Sequence, residues 1–321
     1  MRILMKKNLL ILLCLIVTFV IVQVLIMNGI ITRFHEITIA TICINIILAV
    51  SLNLVTGFTG QFSLGHAGFM SIGAYVCAII NSRMDSTLGF LIGILAGAVA
   101  AAIVGVIIGI PTLRLKGDYL AIATLGMAEI IRVIFLNLKI TNGAAGFSGI
   151  PRYTNWMWLF IFTAGSIILI NNFIRSSHGR ACISIREDEI AAESMGINTT
   201  KYKVMAFTIG AFFAGIAGAL FASYFYFIKP DAFGFLKSID ILVIVVLGGM
   251  GSITGSVIAA TILAVLTTFL QEFTAVRMII YAALLVLIMI FRPQGLMGTK
   301  EITDIFKFGK REERLNGRRN R

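Results

Sequence analysis

Glu129 and Arg132 stand three residues apart inside an apolar stretch, AIATLGMAEIIRVIFLNL (121–138). Spacing of i, i+3 puts both on one helical face, where they can pair. Charges at membrane depth face protein or water. The pair therefore either fixes packing, the reading favoured here, or borders a route for solute or the interface with a partner. A second polar group lies in 57–73. Five glycines, Gly57, Gly60, Gly65, Gly68 and Gly73, are interleaved there with Gln61, Ser63 and His66. Each glycine weakens a helix by up to about 1 kcal/mol relative to Ala. Such a stretch either packs helices closely or breaks the backbone near 57–61 and aims a half-helix at a pathway. The polar side chains favour the break, because Gln and His facing lipid unpaired are costly.

Other chemistry is thinly represented. His66 has no second histidine or carboxylate at ligand spacing, so no metal site is predicted, and a hydrogen bond to a neighbouring carbonyl is its expected role. His35 and His178 fall in loops. Cys14, Cys43, Cys77 and Cys182 show no paired or metal-type spacing and read as small apolar residues. No GxxxxGK[ST] phosphate loop occurs anywhere, so ATP hydrolysis by that chemistry is excluded.

The elements that position these residues follow from composition. The 321 residues are 58% hydrophobic and 13% charged, and mean hydropathy is +0.96. Several apolar runs reach the roughly 20 residues that cross a bilayer, and none shows the alternation of a barrel strand. An all-α polytopic membrane protein is predicted, with about ten embedded segments. They lie near 8–28, 38–56, 63–81, 88–110, 119–138, 156–174, 204–228, 239–250, 254–270 and 277–291. The eighth and ninth are short and flank Gly248–Ser252. With the N-terminus inside, nineteen Lys and Arg fall on the inside and seven outside. That bias places both termini and the 175–203 loop in the cytoplasm. The net charge of +12 thus reflects topology and lipid contact, not nucleic acid. The permease domain is read as 1–295 and the basic cytoplasmic tail as 296–321. Gly210, Gly215 and Gly218 form a small-residue surface whose partner, this bundle or a second subunit, is left open.

The 175–203 loop carries a helix of its own. Ser184 and Glu187 have capping-box spacing, Asp188 and Glu189 suit the first turn, and Gly196 is a C-terminal stop. A helix over 185–195 is predicted, with Ile185, Ala192 and Met195 as its apolar face and Asn198 or Thr199 capping the next span. Arg186 and Glu193 complete its charged surface.

The segment GRACISIREDEIAAESMGINTTKYKVMAFTIGAFFAGIAGAL closely resembles the coupling loop and following span of the branched-chain amino acid permeases of ABC importers. LNLVTGFTGQFSLGHAGFMSIGAY (52–75), ATLGMAEIIRVIFLNLKITNGAAGFSGIP (123–151) and VVLGGMGSITGSVIAA (245–260) resemble the same family. Within it the chain is similar to the LivM-type subunit rather than its LivH-type companion. Asn142 departs from the family's second glycine in a TGG-type turn, and Asn tolerates that left-handed geometry. The resemblance implies a type II importer fold in a bacterial inner membrane. It implies a LivH-like second permease, two LivG/LivF-like ATPases that hold ATP and Mg, and a periplasmic or lipid-anchored binding protein. This chain would bind no cofactor and catalyse nothing, and Ser184–Gly196 would dock on an ATPase. Leucine, isoleucine and valine are the implied cargo. Urea, a sugar or ion-coupled secondary transport are the alternatives.

Overall fold

The computed structural model describes residues 17–29, 31–270, 283, 286, 290 and 295–298. The start of the first expected span, almost all of the tenth and nearly the whole tail lie outside the described residues.

Eleven α-helices carry the described chain. They are α1 (Val17–Met27), α2 (Arg33–Asn53), α3 (His66–Arg83), α4 (Thr87–Thr112), α5 (Asp118–Asn137), α6 (Trp156–Arg175), α7 (Ser177–Glu187), α8 (Glu189–Ser194), α9 (Thr199–Phe225), α10 (Phe235–Gly248) and α11 (Ile253–Phe269). A π-turn, Leu54–Phe58, extends α2. Five helices are long and apolar enough to cross a membrane: α2 with its π-turn, α4, α5, α6 and α9. This is an all-α membrane fold. Among the described residues the one sheet is a two-residue clip, β1 (Phe147–Ser148) antiparallel to β2 (Phe227–Ile228).

Local chemistry sets the helix ends. Ser86, Asn198 and Ser252 accept hydrogen bonds from the amides of Gly89, Lys201 and Gly255, three residues on, and so cap α4, α9 and α11. Asn142 adopts the left-handed conformation, φ 55° and ψ 17°, which its short polar side chain tolerates.

The core is a three-helix junction of α3, α4 and α9, closed by glycine. A Cβ on Gly73 would overlap the carbonyl oxygen of Gly215, one on Gly97 would sit 2.8 Å from the Gly73 oxygen, and one on Gly218 would strike Met70. The small-residue face of α9 is therefore spent inside this chain, Gly215 against α4, Gly218 against α3, and Gly210 against Ser51 and Val55 of α2 and its π-turn. α2 lies alongside α9 and also meets α6, α10 and α11. The loops gather at two ends. One holds 113–117, α7, α8 and 249–252, tied by Lys116–Glu189 at 3.7 Å. The other holds Glu36, Asp85, 150–155 and 229–234, tied by Glu36–Arg152 and by Tyr153 donating to Asp85. Each tie joins segments that the charge bias puts on the same side.

Candidate functional site

The glycine-rich stretch is a broken helix. After the π-turn the chain runs without regular structure through 59–65, with Gly60 at φ +76°, and resumes as α3 at His66. A break buried in a bundle must satisfy its freed carbonyls internally. Here Leu54 accepts from the Thr59 hydroxyl, Val55 accepts from the Gln61 amide, and Gly57 accepts from a guanidinium nitrogen of Arg186 at 2.8 Å. Amides on the α3 side find hydroxyls. Leu64 donates to Thr124 on α5, Gly65 to Ser63, and Ala67 to Ser238 on α10.

His66 does not bond a neighbouring carbonyl. Its Nε2 lies 2.8 Å from the Ser51 hydroxyl, which itself donates to the Leu48 carbonyl at 3.0 Å. The contact stitches α3 to α2 across the break. Gln61 is 2% exposed, and neither its side-chain nitrogen nor its oxygen has a partner. A buried polar group left unpaired costs about 1–3 kcal/mol, which makes Gln61 the unsettled residue of the break.

Asn53, which no local sequence signal singles out, joins two breaks. Its Nδ2 donates to the Ser252 carbonyl at 2.9 Å and the Ser256 hydroxyl at 2.8 Å, and its Oδ1 accepts from the Gly251 amide at 2.9 Å. The end of α2 is thereby fastened to the glycine loop between α10 and α11.

The helix expected over 185–195 is two helices. Asp188 leaves the helical region at φ −157°, and its carboxylate accepts from the amides of Ile190 and Ala191, so α8 starts there. Ser184 caps nothing. It lies within α7 and bonds back to Ala181, while Ser176 caps α7 by accepting from Gly179. A carboxylate beside two free amides outcompeted the hydroxyl four residues earlier. Gly196 does stop α8: at φ +83° it donates to Glu193, and Ile197 donates to Ala192, the paired bonds of a Schellman motif.

The apolar face also differs. Ile185 and Ala192 are buried against the bundle, and Met195 alone of the expected trio is exposed. Its exposed neighbour is Ile190, at 74%. The sequence marks Ile190 only weakly, as a lone apolar residue among charges. Glu187, Asp188 and Glu193 ring it in solvent.

Arg186 points the other way. It bonds Gly57, pairs with Glu187, and packs its stem on Gly60, where an added Cβ would sit 3.1 Å from its Cγ. Its Nη1 lies 2.7 Å from where a Cβ on Gly251 would be. One guanidinium thus touches both interrupted regions. Burial pushes the neighbouring Cys182 thiol up to about 11, which leaves it unreactive near neutral pH.

Glu189 is engaged within the chain, at 2.6 Å from Lys203 Nζ and 3.7 Å from Lys116 Nζ. The Lys203 hydrogen bond, aided by the charges of Lys203 and Lys116, holds its carboxyl below the usual carboxylate range. A lowered folded-state value means that this stabilisation is complete above the ordinary glutamate pKa and fades as pH falls through the lowered one. The protection of amides over 189–196, taken as the ratio of intrinsic to observed exchange rate, should therefore fall on acidification below about pH 4. Glu189→Gln should already exchange faster at pH 7 and lose that acid dependence.

Glu129 and Arg132 form a pair at 2.7 Å, and Arg132 also reaches Asp231 at 2.8 Å. Asp231 comes from the α9–α10 connection, 99 residues away, and no local spacing pointed to it. This cluster sits at the opposite end of the bundle from Arg186. The structure therefore brings Gly57, Gly60, Gln61, Ser63, Gly65 and His66 together with Arg186, and leaves Glu129 and Arg132 apart from them.

A family model described as the permease component of branched-chain amino acid transport systems matches residues 34–291. The chain belongs to this family. The high-affinity branched-chain amino acid transport system permease protein LivM of Salmonella typhimurium is 39% identical, over 79% of this chain and 68% of its own length. Its namesake in Escherichia coli is 38% identical over the same shares. The LivH protein of Salmonella typhimurium is 27% identical over 81% of this chain and 92% of its own. No solved structure matches. The family match spans the helix break, α7, α8 and the far-end charges alike.

Proposed function

We propose that this chain is one permease subunit of an ATP-driven importer that moves branched-chain amino acids across a bacterial inner membrane. It adopts a type II importer fold with about ten embedded helices and both termini in the cytoplasm. A LivH-like subunit completes the pathway, two ATPases bind ATP and Mg beneath it, and a binding protein delivers cargo from outside. The family supports the cargo. The observation that carries the engine is the α7–α8 elbow, which presents Ile190 and Met195 bare to solvent and anchors its inner side on the broken helix through Arg186. Exposed apolar side chains on a charged, well-capped loop suit a groove on a soluble partner.

The test is co-purification of the chain with its ATPases. Ile190→Glu with Met195→Glu should cut ATPase recovery by about tenfold or more, as expected for two truncated anchors, with membrane insertion unchanged. Deleting 184–196 should abolish recovery. Undiminished recovery from the double variant refutes the docking assignment. Robust uptake by the chain alone in liposomes under an ion gradient would replace the importer reading with an ion-coupled one.

A further inference from the structure

At the end of the bundle opposite α7 and α8, the ends of α1, α2, α6 and α9 surround a cavity of about 350 Å³. That size lies at the lower end of small-ligand pockets. Among the described residues its wall carries one carboxylate, Glu36, and one guanidinium, Arg152. Their nearest atoms are 4.0 Å apart, against 2.7 and 2.8 Å for the bonds of Arg132. Arg152 is held in place over the ring of Tyr224, 4.7 Å from its centroid. The opposed charges face each other without closing.

Two further donors of this wall are idle. The buried indole N–H of Trp156 has no hydrogen-bond partner, and the hydroxyl of Tyr224, 6% exposed, lies beside the Arg152 guanidinium, a donor that cannot accept its proton. Ile39 and Leu159 supply apolar surface beside them.

We propose that this cavity is an entry site for a zwitterionic α-amino acid with an aliphatic side chain. Arg152 takes the carboxylate, assisted by the idle donors, and Glu36 takes the ammonium. The apolar wall takes the side chain. A zwitterion parts the loose ion pair and leaves every charge compensated, whereas a simple anion or cation strands one partner. The assignment rests on the orientation proposed above only in calling the site outward-facing. Its chemistry stands without any ATPase.

The full-length chain in lipid nanodiscs provides the test. Trp156 and Trp158 are the two tryptophans, so Trp158→Phe leaves Trp156 as the reporter. L-Leucine should change its emission saturably. N-acetyl-leucine and leucinamide, each lacking one charge, should give less than a tenth of the apparent affinity. Arg152→Gln and Glu36→Gln should each weaken leucine binding at least tenfold, with the elution profile of the protein unchanged, and Tyr224→Phe a few-fold. Absence of a leucine response, or equal responses to leucine and leucinamide, overturns the proposal. So does a response that appears only when phosphatidylethanolamine is omitted from the nanodisc, because the occupant is then the zwitterionic lipid headgroup. Failure of ATPase recovery leaves these readings untouched, so the two proposals fall separately.

Discussion

Arg186→Gln, in a transporter reconstituted with its ATPases and binding protein, should keep hydrolysing ATP while leucine uptake falls by about ten- to a hundredfold. The Gly57 carbonyl sits at a helix break and accepts the Arg186 guanidinium at 2.8 Å. A charge-assisted hydrogen bond contributes about 1.5–3 kcal/mol, and each 1.4 kcal/mol is about a factor of ten. The same guanidinium is the contact through which α7 reaches the Gly251 loop. Its removal frees the elbow from both interruptions without touching Ile190 or Met195, so ATPase docking survives and transmission does not. Arg186→Lys keeps the charge but not the planar reach, and should recover only part of the uptake. Equal losses of hydrolysis and uptake would reduce Arg186 to a packing residue.

The sequence shows where the backbone must yield but not what holds it there. Gly57 and Gly60 announce the break because glycine costs helix stability in any context. Arg186 bonds Gly57 across 129 residues, and Asn53 bonds Ser252 across 199. Neither link leaves a local trace. The same limit explains the α7–α8 elbow. Ser184 and Asp188 are rival caps one turn apart, and burial of Cys182 and Ile185 on one face of α7 adds to the advantage of the carboxylate by carrying that helix past Ser184. Gly196 was legible because no rival residue nearby suits its left-handed geometry, and the cap of α9 was narrowed by the sequence to Asn198 or Thr199, of which the structure uses Asn198. The partner of Gly215 was not legible, since a small-residue face records that something comes close and not what.

These contacts divide the bundle into parts of different stiffness. α3, α4 and α9 meet backbone to backbone at Gly73, Gly97, Gly215 and Gly218. Interiors packed that closely switch as units and do not deform smoothly. The joint between α2, the 59–65 segment and the 249–252 loop is instead held by a few hydrogen bonds and contains the unpaired amide of Gln61. Motion delivered by Arg186 therefore arrives at the softer part, with the glycine junction as its frame.

That frame can be tested by adding one methyl group. Gly73→Ala should lower the melting temperature of the detergent-solubilised chain by about 5–10 °C or more. Overpacking costs about 1–3 kcal/mol when side chains can yield, and here the obstacle is the Gly215 backbone. Each kcal/mol shifts a chain of this size by about 2–4 °C. Gly218→Ala, facing the Met70 carbonyl, should behave alike. Gly126→Ala and Gly165→Ala are the counterparts, because a Cβ at either helical position meets nothing within 4 Å. Removing a helix-interior glycine there should leave stability equal or raise it by up to about 1 kcal/mol. Equal melting temperatures for Gly73→Ala and Gly126→Ala would show that α3 and α9 part easily, and the rigid frame assigned to them would have to be abandoned.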